Sequence, residues 1–337
     1  MYLISIIMPI YNADKYLKRT INSIINQTIG FDNIELILVD DNSSDSSKDI
    51  IKEFSEKFPN IVSFYSQINH GFPGYGRNIG IKNASADYIM FIDNDDEYEV
   101  DFCETIYNTI KNLNCDVVST NFSILENNMV TKVNSYSKID SEVDSKHDYG
   151  KLIKLDKFKN ISDVTIWTKI FKKDILLKNN IFFVEDRLNE DSQFIFNYYY
   201  YANDLVYINY YGYKHHRDGE NLSYFSSKST LGFINSYYDL LSLVQEKYQD
   251  VDAVYLFKDR IELTILRIIL SSHQRCLLGK LYDFEDKIGF NSSLNHSWAT
   301  FCNKLLLKRK FSLLIVIFKF LRIIKKILDI LRSRNVL

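Results

Sequence analysis

The chain has 337 residues, of which 46% are hydrophobic and 25% charged; eleven Gly and three Pro exclude collagen-like and low-complexity classes. At about 150 residues per domain, this length suits two domains or one domain with an appendage. Its net charge of −2 hides an asymmetry: residues 304–337 carry ten Lys or Arg against Asp329 alone, so the remaining body is acidic and a poor partner for nucleic acid.

Cys103, Cys115, Cys276 and Cys302 are scattered without a CxxC pair. That argues against a disulfide scaffold or zinc ribbon and suits reduced thiols in a cytosol. The opening apolar stretch has neither a basic leader nor a small-residue cleavage site, so a cytoplasmic location is expected.

Residues 3–8 (LISIIM) form a β-branched run that predicts a buried strand, stopped by Pro9. Asp14 is a candidate N-cap for a helix over 15–27, whose Leu17, Ile21, Ile24 and Ile25 recur at helical spacing. A second strand at 34–39 runs into Asp40-Asp41-Asn42-Ser43-Ser44-Asp45, and a helix carrying Ile50, Ile51, Phe54 and Phe58 follows. A third strand is predicted at 61–66, a Gly-containing loop at 69–78, a short helix at 78–85 and a fourth strand at 87–92. Further on, 101–113 and 190–202 read as helices, and 115–122, 164–171 and 205–214 as strands. Residues 126–150 are polar, and 229–278 are mostly helical. The opening alternation is that of a parallel α/β sheet, whose ligands bind outside the carboxyl ends of the strands.

Two acidic clusters fall at such ends. In Asp93-Asn94-Asp95-Asp96, carboxylates at i and i+2 on a turn can reach one hard divalent ion, Mn2+ or Mg2+, shared with a substrate diphosphate. The bland reading is a solvated turn; the position at the sheet edge favours the metal. Asp40-Asp41 reads as a helix cap, as a site for ring N–H groups of a base, or as both.

Gly74, Gly76 and Gly80 are spaced GxGxxxG after the third strand, which is not a dinucleotide fingerprint. A mobile loop that closes over a nucleotide, with Arg77 available to a phosphate or base, fits better. Glu190-Asp191 is equally readable as helix N-terminal charge and as a general base. His215-His216-Arg217 suits anion binding more than a metal, because adjacent strand residues face opposite ways. Trp167 and Lys169 share a face, and local sequence leaves open whether they are a core Trp with a surface Lys or a binding pair. The Tyr-rich runs at 198–201 and 207–213 suit packing.

In the tail, Lys319, Arg322, Lys325, Lys326, Asp329 and Arg332 fall on one helical arc, with Phe320, Ile323, Ile324, Ile327, Leu328 and Leu331 on the other. This predicts a basic amphipathic helix on an anionic membrane surface. The eight residues 311–318 (FSLLIVIF) are far short of the ~20 apolar residues that a spanning helix needs. Packing of the tail on the acidic body is the competing reading.

Taken in order, SIIMPIYN (5–12), LVDDNSSD (38–45), NHGFPGYGRNIG (69–80), ADYIMFIDNDDEY (86–98), WTKIFKKDIL (167–176), NEDSQF (189–194) and YKHHRDGENLS (213–223) resemble the inverting glycosyltransferases of family 2, over roughly residues 3–225. The resemblance implies a GT-A fold of class α/β, with a Rossmann-like, mostly parallel sheet flanked by helices. Residues 1–225 would form the transferase domain, 1–100 its nucleotide-binding half and 101–225 its acceptor half. A helical extension (226–303) and the basic membrane-associating helix (304–337) would follow.

By the same resemblance, Pro9, Tyr11 and Asn12 would line the nucleotide pocket and Asp41 would bind the uracil or other base. Arg77 and Asn78 would close over the nucleotide. Asp93 and Asp95 would hold the metal, Asp93 lying also near the ribose. Asp191, in the Glu190-Asp191 pair, would be the catalytic base. His216 and Arg217 would hold the diphosphate, and Trp167 and Lys169 would meet the sugar or acceptor. Gly76 stands where the family commonly has Ala, which would loosen the loop.

The implied partners are a nucleotide-sugar donor, a glycan or lipid-linked acceptor, and the inner face of the cell membrane through 304–334. A sugar nucleotidyltransferase would carry a Gly-rich basic loop after the first strand, where this chain has Pro9-Ile10-Tyr11-Asn12. A non-catalytic scaffold would have lost Asp41, Asp93, Asp95 and Asp191, all of which are present.

Overall fold

The computed structural model describes residues 1–126, 129–133, 151–154, 164–187, 190–217 and 242. Apart from residue 242, the expected helical extension and the basic tail lie outside them. Met1–Asn221 form one compact unit, to which every element below belongs.

Strands β1 (Ile4–Ile10), β2 (Ile34–Asp40), β3 (Ile61–Tyr65) and β4 (Tyr88–Phe91) pair in parallel in the order β3-β2-β1-β4. Every residue of β1 and β2 is buried, as their unbroken apolar runs require of strands covered on both faces.

Pro9 does not stop β1. It stays in the sheet opposite Val39, because its missing N–H falls on the β4 side, beyond Phe91, the last β4 residue paired with β1. Its carbonyl on that side accepts the Asn94 side-chain amide at 3.1 Å.

Helix α1 (Leu17–Ile25) is shorter than predicted and buries Leu17, Thr20, Ile21 and Ile24. Asp14 does not cap it. The Asp14 N–H instead donates to Asp45 at 3.0 Å, and the first turn forms on the Ala13 carbonyl. Asp45 also accepts the N–H of Ser47, the first residue of α2 (Ser47–Lys57). Burial opposes the Asp45 charge, but these hydrogen bonds prevail and hold its carboxyl below the usual range.

The predicted loop over 74–78 is helical. Helix α3 runs Gly74–Asn83, so Arg77 and Asn78 lie on a fixed element. Its glycines serve close packing. A Cβ on Gly80 would stand 2.3 Å from Ile7 Cγ2, and one on Gly74 2.1 Å from the Val184 carbonyl oxygen. Gly76 is likewise pressed on Pro9, so it loosens nothing.

In the second half, β5 (Glu97–Tyr98), α4 (Phe102–Leu113), β6 (Val117–Glu126), β7 (Met129–Val133), β8 (Lys151–Lys154), β9 (Lys169–Lys172), α5 (Lys173–Lys178), α6 (Glu190–Tyr201) and β10 (Asp204–His216) follow. The sheet continues from β4 through β9, β6 and β10 to β5, with β7 on β6 and β8 on β10. β9 is antiparallel to both neighbours, whereas β10 is parallel to β6. The sheet is therefore parallel through its first four strands and mixed beyond them.

Two expectations shift here. β6 outruns its predicted end and folds back into β7, inside the stretch read as merely polar. Only the end of 164–171 is strand; residues before it turn, with the Thr165 and Thr168 hydroxyls 2.9 Å apart. Tyr198, Tyr199, Tyr207 and Tyr213 are fully buried, as the packing reading requires.

Replacing Gly80 by Ala tests the α3–β1 approach. Helix propensity alone would favour Ala by about 1 kcal/mol. The clash with Ile7 is expected to reverse that sign and cost about 1–3 kcal/mol, read as a lower denaturation midpoint.

Candidate active site

β4 leads into the acidic turn, whose backbone is held from outside. The Thr20 hydroxyl donates to the Asn94 carbonyl at 3.0 Å and Arg19 to the Asp95 carbonyl at 2.6 Å. Asp96 faces inward and is fully buried. It accepts the Tyr213 hydroxyl at 2.6 Å, His215 Nδ1 at 3.1 Å and the His216 N–H at 2.8 Å.

That leaves Asp93 and Asp95 as the carboxylates for a ligand. Burial, then the neighbouring Asp96 and Asp93, push the Asp95 carboxyl up to about 7. Among the described residues, no three His, Cys, Asp or Glu side chains converge as a ready-made metal cage.

Arg77, in the first turns of α3, connects the two halves. Its Nη2 donates to Asp93 at 2.8 Å, while Nη1 donates to Glu190 at 2.5 Å and to Asp191 at 2.8 Å. The Arg77 side chain is only 3% exposed. Glu190 and Asp191 open α6, where the helix dipole favours negative charge. Both carboxyls are nevertheless raised, Asp191 well above the usual range. Burial is the main cause in each, with Arg77 opposing it. Of the two, Glu190 is sealed and Asp191 keeps a quarter of its side chain open.

At the end of β2, Asp40 accepts the Ser43 N–H at 3.1 Å and so closes the turn. Asp41 does not cap α2. Its carboxylate accepts the His70 N–H at 2.9 Å, His70 Nδ1 at 2.7 Å and the Gly71 N–H at 3.2 Å. The His70 ring lies flat on Tyr75, with centroids 3.5 Å apart. At the end of β1, Tyr11 is exposed. Asn12, at φ 47°, accepts the Ser44 N–H at 2.8 Å and so braces the β2 turn.

Other expected site residues have structural tasks. Asn78 is buried and zipped to the 183–185 backbone, donating to the Phe183 carbonyl at 2.9 Å and accepting the Phe183 N–H at 2.8 Å. Lys169 is fully buried, not a surface Lys, and donates to the Thr165 carbonyl at 2.6 Å.

Trp167 stacks on Tyr213 at 4.3 Å and on His215 at 5.7 Å. His216 is buried and its Nε2 lies 2.7 Å from Glu97. Arg217 is exposed, its N–H held by the Leu125 carbonyl. Burial opposes the His215 charge, but the Asp96 hydrogen bond outweighs it and raises the imidazole.

The Arg77 bridge, the Asp96 hub and the His70–Asp41 pair were not predicted. Asp96 had a signal, as the fourth residue of its acidic run. The other two pairings follow no local spacing.

The family model described as Glycosyl transferase family 2 matches residues 5–178, just over half the chain. The chain is 31% identical over 209 residues to glycosyltransferase GlyA of Streptococcus pneumoniae, covering 61% of this chain and 29% of that protein. It is 39% identical over 171 residues to the minor teichoic acid biosynthesis protein GgaB of Bacillus subtilis, covering 48% and 19%. Against the poly(ribitol-phosphate) beta-glucosyltransferase of Bacillus spizizenii it is 31% identical over 227 residues, covering 65% and 33%. The matches thus span a third or less of each of these relatives.

The crystal structure of S. aureus TarS 1–349 in complex with UDP-GlcNAc superposes with a TM-score of 0.59 at 24% identity, over 71% of this chain and 66% of that one, and so shares the fold. With its sheet-edge carboxylates in place and its first half matched to the family throughout, the chain belongs to glycosyl transferase family 2.

Proposed function

We propose that this chain transfers a sugar from a UDP-sugar to a hydroxyl of a cell-envelope polymer, with inversion at the anomeric carbon. The observation that carries this is the single Arg77 guanidinium joined to Asp93 on one side and Asp191 on the other. It sets a partly open carboxylate across from the sheet-edge acids that would face a diphosphate.

In the reaction, Asp191 accepts the proton of the acceptor hydroxyl. The oxygen then attacks the anomeric carbon from the face opposite the diphosphate. The new C–O bond forms as the bond to the diphosphate oxygen breaks, and the electron pair leaves with the nucleotide. Glu190 is too enclosed for this task and holds Arg77 in place.

Asp93 and Asp95 fit a hard cation, being two oxygen donors at i and i+2, with burial and the neighbouring carboxylates outweighing what favours the Asp95 charge. Bound Mn2+ or Mg2+ would supply neutralisation of the charge on the departing diphosphate. Arg217, exposed just after β10, would be the cation that meets the diphosphate. His216 acts behind it, held on Glu97.

The polymer acceptor is supported by the relatives named for teichoic acid and poly(ribitol-phosphate). Among the described residues no helix is long and apolar enough to cross a membrane. We propose contact with the inner membrane face through the basic tail, from its charge pattern.

Donor hydrolysis and transfer with UDP-sugars separate the two carboxylate roles. Asp191→Asn is expected to bind UDP normally and lose about 10^2–10^4-fold in turnover. Asp95→Asn is expected to lose the metal-dependent part of UDP binding itself.

Because Asp191 must be ionised to act and burial raises its carboxyl, the acid limb of kcat/KM should lie above the ordinary Asp range near ~4. Activity should rise with pH through that limb; a limb within the ordinary range would remove Asp191 from the role of base. The full chain should co-sediment with anionic but not neutral vesicles, and added salt should release it.

A further inference from the structure

Helix α3 has a second tie to α6, beside the one through Arg77. Gly74, Arg77 and Asn78 fall at i, i+3 and i+4 and so share one face of the helix. That face receives the segment 183–185. Gly74 leaves room for it, since a Cβ there would stand 2.1 Å from the Val184 carbonyl oxygen. Asn78, itself buried, pairs with Phe183 as a neighbouring strand would. Its Oδ1 accepts the Phe183 N–H at 2.8 Å, and its Nδ2 donates to the Phe183 carbonyl at 2.9 Å. Nδ2 also donates to Glu185 Oε1 at 2.8 Å.

The Phe183 ring carries this latch across to α6. It stacks on Phe194 with centroids 4.0 Å and planes 3° apart, and meets Phe91 edge-on at 5.3 Å. The Arg77 guanidinium lies over the same ring at 5.3 Å. Phe194 is three residues beyond Asp191 on α6, so the two share a face one turn apart. Arg77 reaches Asp191 on a long stem that can follow it. The short Asn78 side chain instead ties backbone to backbone, and its directional bonds admit one register where stacked rings alone could slide.

We infer that Asn78 is a positioning residue for the transfer step: through Phe183 and Phe194 it fixes the start of α6, and so the place of Asp191 opposite the donor-facing acids. This role rests on the proposed assignment of Asp191 as base. Proton transfer needs the base within hydrogen-bond reach of the acceptor hydroxyl, and a displacement of about 1 Å can cost about 100-fold. The carboxylates proposed to face the donor lie on the turns after β2 and β4, which Asn78 does not bond, so donor binding should be spared.

Turnover of UDP-GlcNAc and UDP-glucose, with water and with poly(ribitol phosphate) as acceptors, tests this on the full chain with Mn2+. Rates are expressed per UDP-binding site, counted by calorimetry. Asn78→Ala should keep UDP affinity and donor KM within about threefold and lose about 10–100-fold in kcat. Asn78→Asp keeps the acceptor for the Phe183 N–H and loses both donor bonds, so its kcat should fall in between. It carries the same test if a thermal melt shows that Asn78→Ala does not fold. In an Asp191→Asn background either substitution should cost less than about threefold, because the group it positions is gone.

A lower melting temperature with kcat per site unchanged overturns the inference, since Asn78 would then serve folding alone. So does a loss of UDP affinity as large as the loss of turnover, because Asn78 would then act on the nucleotide. An equal loss with and without the Asp191 carboxylate overturns it too. Unchanged turnover of Asp191→Asn alone, or a wild type that turns over neither donor, overturns the proposed function and this role with it.

Discussion

The site depends on one buried cation. Arg77 is almost sealed from solvent and is shared by Asp93, Glu190 and Asp191. Three carboxylates gathered in a poorly solvated place repel one another strongly, and only an opposed charge with matched hydrogen bonds lets them coexist. A planar guanidinium does this because its donors point in fixed, separate directions, which a lysine ammonium cannot reproduce. Its own protonation is reinforced, the three carboxylates outweighing the burial that opposes it. The balance is still negative: three acids, with Asp95 close by, against one cation. A diphosphate adds more negative charge, which is the electrostatic ground for proposing a divalent ion there.

The acidic turn divides its labour by direction. Asp96 looks back into the protein, where Tyr213, His215 and the His216 backbone saturate it. Trp167 packs on two of the same residues. The last strand of the sheet is thereby tied to the turn that follows the fourth. With its rear clamped and its backbone carbonyls held by Thr20 and Arg19, the turn can present Asp93 and Asp95 without rearranging. The neighbouring His215 gives its ring to this clamp, while His216, expected with Arg217 to hold the diphosphate, gives it only a backbone N–H.

Much of this was legible. The parallel strands announced themselves as unbroken apolar runs, and both acidic clusters fall at the ends of such runs. What failed did so for physical reasons. Pro9 reads as a strand stop because proline lacks a donor, yet its nitrogen faces a stretch where no neighbour needs one. Gly74 and Gly76 read as a loop because glycine weakens helices, yet they are where α3 presses on residue 184 and on β1. Lys169, left open between a surface charge and a binding residue, is buried although burial of lysine is rare, because a turn of threonine oxygens receives it. In each case a tertiary contact decided against a local preference, and a local pattern cannot contain that contact.

The same holds for the proposed chemistry. The bonds that define the site join residues far apart in the chain: Arg77 to Asp191 across 114 positions and Asp96 to Tyr213 across 117. The antiparallel insertion of β9 between β4 and β6 makes this reach possible, since it carries the sheet from the first four strands to β6 and β10. A carboxylate raised by burial, such as Asp191, therefore acquires its properties only after both halves have closed around Arg77. On the proposed mechanism, the base cannot be tuned in one half and the donor held in the other. The second half completes both, so changes that loosen the contact of α6 with Arg77 would act on the proposed base and on the acids proposed to face the donor together.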